Sequence, residues 1–227
     1  MYQLYNNPIL QSHQIIILKA FFTASFGQPF FLTGGTALSA FYLAHRDSKD
    51  LDLFTMEELD LVVLENTIRE IAEKTKSKVI TKVRSNSYCE IYLQNKKQGW
   101  VQRIDIVKEI PKHFGKIETM DGIRVDSLEN IGSNKILAIF GRLEIKDYVD
   151  LYLILRETKL TFTKLFKLAQ QKDMGLFEFY FANIIRACVN FETFPVMKVP
   201  FNRAEFVKFY SDLSRDLLLK IKPRDQV

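Results

Sequence analysis

FLTGGTALSAFYLAHRDSKDLDLFT, residues 31–55, is the stretch from which the fold of this chain is read. Phe30 to Thr33 is a short apolar run that predicts a strand. It ends at Gly34-Gly35, where a strand turns into a helix. Thr36 to Ala44 reads as that helix, with Leu38, Phe41 and Tyr42 on one side. Leu51 to Phe54 reads as a second strand. Glycine lets the backbone come close to a neighbour, and a helix N-terminus offers unpaired N–H groups and the positive end of a dipole. Asp50 and Asp52 are two apart, so in an extended chain they point the same way while Leu51 and Leu53 face the core. Two carboxylates side by side repel unless a cation or hydrogen-bond donors compensate them. Hard divalent cations such as Mg²⁺ take oxygen ligands of this kind. The plainer reading is a solvated strand with two acids on it.

Outward from this stretch the period changes twice. Before it, a helix is expected from near Pro8 through the apolar positions of 14–25. After it, Met56 to Lys74 reads as a helix with acids in its first turn. Val79 to Arg84, Tyr88 to Leu93 and Trp100 to Val107 alternate apolar and polar and predict three strands, with turns at Ser85-Asn86 and Asn95 to Gly99. From Ser127 to the end the pattern is helical. Ser127 and Asn130 offer a loose cap, and Gly132-Ser133 an interruption before a helix at Asn134 to Phe140. Further helices are expected at Tyr148 to Arg156, Phe162 to Gln171, Phe177 to Asn190 and Arg203 to Leu219. The class expected is α+β: a mixed sheet with flanking helices over residues 1–126, and an all-helical part over 127–227.

A third acid is expected on a neighbouring strand. Asp105 fits best, because it alternates with Ile104 and Ile106. Glu90, in Tyr88-Cys89-Glu90-Ile91-Tyr92, is the alternative. Each could equally be an ordinary outward-facing strand acid.

Composition narrows the class. At 227 residues, 47% hydrophobic and 26% charged, the chain has the balance of a globular protein and not of a disordered one. The longest apolar run, Ile15-Ile16-Ile17-Leu18, stops at Lys19, far short of the roughly 20 residues a membrane helix needs. MYQLYNNPIL has neither a basic start nor a cleavage site, so no signal peptide is expected. Cys89 and Cys188 suggest no disulfide framework or zinc site, and read as reduced core thiols of a cytoplasmic protein. His13, His45 and His113 show no ligand or triad spacing. Phe177, Phe179, Tyr180 and Phe181 are too dense for one helix face and read as core plus interface. The net charge of +5 is mild. Lys74, Lys76, Lys78, Lys82, Arg84, Lys96, Lys97 and Arg103 are set against Glu90 alone between 74 and 103. That excess suits a polyanion, or a solvated sheet face.

GGTALSAFYLAHRDSKDLDLF resembles the signature of the DNA polymerase β-like nucleotidyltransferase superfamily, a Gly-Gly or Gly-Ser turn followed by Asp-x-Asp. Together with NKILAIFGRLEIKDYVDLYLIL, residues 134–155, the chain resembles the AbiEii/AbiGii toxin family more narrowly. In the second stretch the family pattern falls on Lys135, Ala138, Arg142, Lys146-Asp147 and Asp150-Leu151. Thr36 stands where many superfamily members have Ser. The resemblance spans about residues 30 to 156.

It implies a two-metal nucleotidyl transfer from an NTP. Asp50, Asp52 and Asp105 would hold Mg²⁺. Gly34, Gly35 and Thr36 would hold the outer phosphates. Lys135 would neutralise charge on the nucleotide, and Lys146, Asp147 and Asp150 would reach the same cleft. Implied partners are an RNA acceptor such as the tRNA 3′ end, or a protein, and an antitoxin encoded nearby; no membrane is implied. A nucleotide-binding regulatory module without turnover, and a small-molecule transferase, are the competing functions. The intact Asp-x-Asp favours an enzyme over the first of these.

Overall fold

A computed structural model describes residues 4 and 6–220. Part of the N-terminal stretch read as lacking a signal peptide, and the last residues of the expected helical part, lie outside them. The chain divides into two compact units, Met1–Leu128 and Glu129–Val227.

The first unit is built on a seven-stranded mixed sheet. Its elements in order are α1 (Ser12–Thr23), β1 (Phe31–Thr33), α2 (Gly34–Ala37, continued by a π-helical turn, Leu38–Leu43), β2 (Leu51–Thr55) and α3 (Leu61–Lys74). Then come β3 (Lys78–Arg84), β4 (Tyr88–Asn95), β5 (Trp100–Lys108), β6 (Glu118–Met120) and β7 (Ile123–Val125). The strand order is β3-β4-β5-β2-β1-β7-β6. β2 runs parallel to β5 and β1 parallel to β7; the other neighbours are antiparallel.

Alternation decides the two faces of the sheet. Leu51, Leu53, Ile91, Leu93, Ile104 and Ile106 are buried, with α1 and α3 packed against each other in the same unit. Tyr88, Glu90, Tyr92, Asp52 and Arg103 alternate with them and keep access to solvent. This period-two burial makes the register of β2, β4 and β5 hard to slip, since a one-residue shift would turn every apolar side chain outward.

Several elements depart from expectation for local reasons. α3 starts at Leu61, not Met56, because the Asp60 carboxylate accepts from the N–H groups of Val62 and Val63 and caps the helix there. Glu57 and Glu58 therefore precede the helix. The segment after Ala37 widens into a π-turn that ends on Ala44, in the left-handed region at φ 49°, with its N–H on the Ser39 carbonyl. The hairpin β6–β7 was not expected. Its signal is Asp121-Gly122, both with positive φ, the pair that a two-residue hairpin turn favours.

The second unit holds α4 (Leu128–Gly141, whose first residue belongs to the first unit), α5 (Ile145–Glu157), α6 (Phe162–Lys172), α7 (Glu178–Ile185, running into a 3₁₀ turn to Asn190) and α8 (Arg203–Leu219). α4 runs unbroken through Gly132-Ser133, against the expected interruption. A Cβ at Gly132 would lie 2.7 Å from a methyl of Leu165, so the glycine is a packing requirement and not a helix end. The helix begins directly after Ser127, whose hydroxyl bonds the Phe114 carbonyl, and Asn130 is buried inside its first turn, where its side chain accepts from Lys172. In the core, Tyr210 donates to the Tyr148 carbonyl at 2.7 Å and Tyr148 to that of Ile184 at 3.1 Å. Of the dense aromatic run, Phe181 is buried, while Phe177, Phe179 and Tyr180 are more than half exposed. Cys89 and Cys188 are both buried free thiols. Among the described residues, no helix is long and apolar enough to cross a membrane.

Candidate active site

The Gly34-Gly35 turn is shaped by what lies in front of it. Gly34 has φ +69°, and a Cβ there would overlap Oδ2 of Asp52 and lie 2.9 Å from its Cγ. A Cβ on Gly35 would overlap the guanidinium of Arg46 and lie 3.1 Å from Oγ of Ser48. Gly34 thus excludes a side chain by conformation as well as by contact, whereas a Cβ at Gly35 would require the Arg46 guanidinium to shift. Thr36 is fully buried. Its hydroxyl meets Ser48 Oγ at 2.9 Å and the Asp50 carbonyl. It therefore fixes the backbone where β2 begins.

Strand pairing assembles the acids. Asp52 on β2 is the register partner of Asp105 on parallel β5, and Asp105 is the partner of Glu90 on β4. Asp52 also pairs with Thr33 on β1. Glu90, Asp105, Asp52 and Thr33 thus form one row across four neighbouring strands. Asp50 stands just before β2, two residues from Asp52. Among the described residues, no three His, Cys, Asp or Glu side chains come close enough together to enclose a metal ion.

Arg103 and two tyrosines occupy the same face. Nη2 of Arg103 is 3.0 Å from Oδ2 of Asp105, and Nε donates to Oδ1 at 3.1 Å. The Tyr88 hydroxyl donates to Asp105 Oδ1 at 3.1 Å, and the Tyr92 hydroxyl to Glu90 Oε1 at 2.7 Å. The Tyr92 bond, against an opposing desolvation effect and helped by the charges of Arg103 and Lys82, holds the Glu90 carboxyl below the usual range. Burial raises the Tyr88 phenol, and its contact with Asp105 adds to this. Burial opposes the charge on Arg103, but its bonds to Asp105 and Tyr88 outweigh that and raise it. Sequence reasoning placed Arg103 in the basic cluster and missed its pairing with Asp105. The signal was its i, i+2 spacing from Asp105 on a strand.

The rest of the basic cluster divides. The register of β3 on β4 shifts between Thr81 and Val83, so Lys82 sits in a bulge. Beyond the bulge the side-chain alternation reverses. Lys78 pairs with Gln94 on the open face, whereas Arg84 pairs with Cys89 and bonds Glu65 of α3 at 2.7 Å. Lys78, Lys82 and Arg84 do not share one strand face, as simple alternation would require.

In the second unit, Lys135, Asp147 and Asp150 come together. Nζ of Lys135 lies 2.8 Å from Asp147 and 2.6 Å from Asp150, and Arg142 Nε lies 2.9 Å from Asp147. Both aspartates are fully buried and Lys135 nearly so. The group is a buried ion cluster joining α4 to α5. Lys146 is not part of it; it pairs with Glu144 at 2.9 Å. In the first unit, Asp126 accepts from Thr33 and meets His113 Nε2 at 2.7 Å.

The fold is shared with solved structures. A Helicobacter pylori protein assigned as a nucleotidyltransferase superposes with a TM-score of 0.62 at 17% identity, covering 92% of each chain. JHP933 from Helicobacter pylori superposes with a TM-score of 0.58 at 16% identity, covering 92% of this chain and 90% of that one. At such identity the likeness is one of fold, and the fold is the nucleotidyltransferase type. No curated protein matches the sequence. The family model of the nucleotidyl transferase AbiEii toxin of type IV toxin–antitoxin systems matches residues 16–219, and the chain belongs to that family. It is accordingly a nucleotidyltransferase.

Proposed function

We propose that the chain transfers a nucleotide from an NTP to an RNA acceptor such as a tRNA end, and acts as the toxin of a pair whose antitoxin is encoded nearby. The observation that carries this is the register pairing of Asp52 with Asp105 beside a glycine turn that leaves no room for a side chain. In the reaction an acceptor hydroxyl attacks the α-phosphorus, the bond to the β-phosphate breaks, and pyrophosphate leaves.

The residues fit Mg²⁺. The donors, Asp50, Asp52 and Asp105, are all carboxylates, and Gly34, lacking a Cβ, leaves room for the Asp52 carboxylate that lies against it. Mg²⁺ keeps several waters and is commonly bound by one or two carboxylates plus substrate phosphates, so a cage of protein ligands is not needed. When bound, it would supply charge stabilisation for the attacking and leaving oxygens. Gly34 and Gly35, at the start of α2, bring backbone close to the outer phosphates. Thr36 holds the Asp50 backbone in position. Lys135, kept in one geometry by Asp147 and Asp150, has the nucleotide-neutralising role the family resemblance assigns.

RNA is favoured over a protein acceptor because Lys78 and Lys82 lie on or beside the open face that bears the carboxylate row. The test is incubation of the protein with each labelled NTP, Mg²⁺, and either total RNA or RNase-treated lysate. Label in RNA supports the proposal; label only in protein or in small molecules overturns the acceptor assignment.

A further inference from the structure

We propose that Arg103 and Tyr88 set the cation preference of the carboxylate row by leaving Asp105 a single oxygen with which to bind. This rests on reading that row as the metal site. A carboxylate offers about four lone-pair directions, two on each oxygen. Arg103 takes one on each oxygen of Asp105 through its side-on fork, Nε to Oδ1 at 3.1 Å and Nη2 to Oδ2 at 3.0 Å. Tyr88 takes the second on Oδ1, at 3.1 Å. Oδ1 is then fully used, and binding by Asp105 has to go through Oδ2.

The arrangement is held in place from several sides. Arg103 is two residues from Asp105 on β5, so both side chains share a face. Arg103 Nη2 also donates to the Tyr88 hydroxyl at 3.3 Å, closing a ring of three groups. Glu90 is a poor substitute ligand, since Tyr92 bonds one of its oxygens and Arg103 lies 3.9 Å from the other.

The consequence is chemical selectivity. Ca²⁺ takes six to eight oxygens and often grips a carboxylate through both, whereas Mg²⁺ is octahedral and binds through one or two carboxylates. An Asp105 restricted to Oδ2 suits Mg²⁺ and denies Ca²⁺ a bidentate grip. Arg103 also reduces the negative charge of the site, which weakens every divalent cation alike. The charge effect cancels in the ratio of affinities and the lone-pair effect does not. Arg103→Lys keeps the charge and loses the planar fork. Arg103→Gln loses both.

The experiment is calorimetric titration of the purified full chain with Mg²⁺ and with Ca²⁺, for the wild type, Arg103→Lys, Arg103→Gln and Asp52→Asn, with circular dichroism as a fold check. Arg103→Lys is expected to move the Ca²⁺-to-Mg²⁺ affinity ratio toward Ca²⁺ by about 10-fold. Arg103→Gln should move the ratio similarly and tighten both ions. A ratio within about 2-fold of wild type in both variants, with Asp52→Asn still losing both ions, overturns the role of Arg103 alone. Wild-type protein that binds neither ion, or Asp52→Asn protein that binds both normally, overturns the metal site itself and this inference with it.

Discussion

Gly34 and Asp52 are in such close contact that the glycine has no room for a Cβ: the added atom would overlap the aspartate carboxylate. Gly34 also has φ +69°, which disfavours any L side chain. Gly34→Ala is therefore expected to displace Asp52 as well as strain the turn. The stability cost should be about 1–3 kcal/mol, read from urea unfolding, and nucleotide transfer should fall by more than the unfolded fraction explains. Wild-type transfer in a folded Gly34→Ala protein would show that the position of Asp52 is unimportant.

Asp50→Ala and Asp52→Ala address the acids directly. Each should reduce transfer by about 100-fold or more while the circular dichroism spectrum stays native. Transfer by Asp52→Ala at the wild-type rate would remove the row from the mechanism.

Lys135 lies between two fully buried aspartates. Lys135→Ala should cost about 3–5 kcal/mol of stability, because it removes the cation between two buried carboxylates. Adding Asp147→Asn and Asp150→Asn should return most of that stability. If Lys135 also serves the nucleotide, the triple variant will remain deficient in transfer. Recovery of transfer along with stability would make the cluster purely structural.

RNA binding should weaken steeply with salt, as phosphate contacts release counterions. Filter binding to tRNA at two salt concentrations measures this. Lys78→Glu with Lys82→Glu should weaken binding across sequences, and Arg84→Glu should do little, because Arg84 is turned toward Glu65. Equal effects from the two variants would mean that the bulge at Lys82 does not divide the cluster.

Burial raises the Cys188 thiol to about 11 from an ordinary value near 9. The folded state thus keeps its proton where the unfolded chain loses it. Cys188 therefore contributes stability that is present below about pH 9 and is lost as the pH rises toward about 11. Urea midpoints at pH 8 and pH 10.5 should differ more for wild type than for Cys188→Ala. An identical pH dependence in the two proteins would contradict the shift.

Much of this was legible in the chain because it depends on neighbours in sequence. Period-two alternation marked β3, β4 and β5, and the helical period marked α5, α6 and α8 nearly to their ends. The glycine turn and Asp-x-Asp were legible because they are short and specific. Other features were hidden for identifiable reasons. The hairpin β6–β7 has only three residues per strand, too few to show a period, although Asp121-Gly122 marked its turn. Gly132 looked like a break because its reason is Leu165, 33 positions away in sequence but adjacent in space.

The sequence alone determined which residues can form strands and helices, which acids can share a face, and that an α+β part is followed by a helical one. These follow from local geometry, since side chains recur every two residues on a strand and every 3.6 on a helix. Only the tertiary structure decided that Asp105 lies opposite Asp52, with Glu90 beyond it, that Arg103 is bound to Asp105, and that Thr36 faces inward. It also decided that Arg84 leaves the face held by Lys78. Those outcomes depend on which strands become neighbours, in what register, and where a bulge interrupts it. Strand pairing joins residues as distant as Asp52 and Asp105, and is set by burying one whole face of the sheet at once, so no single stretch of sequence contains it.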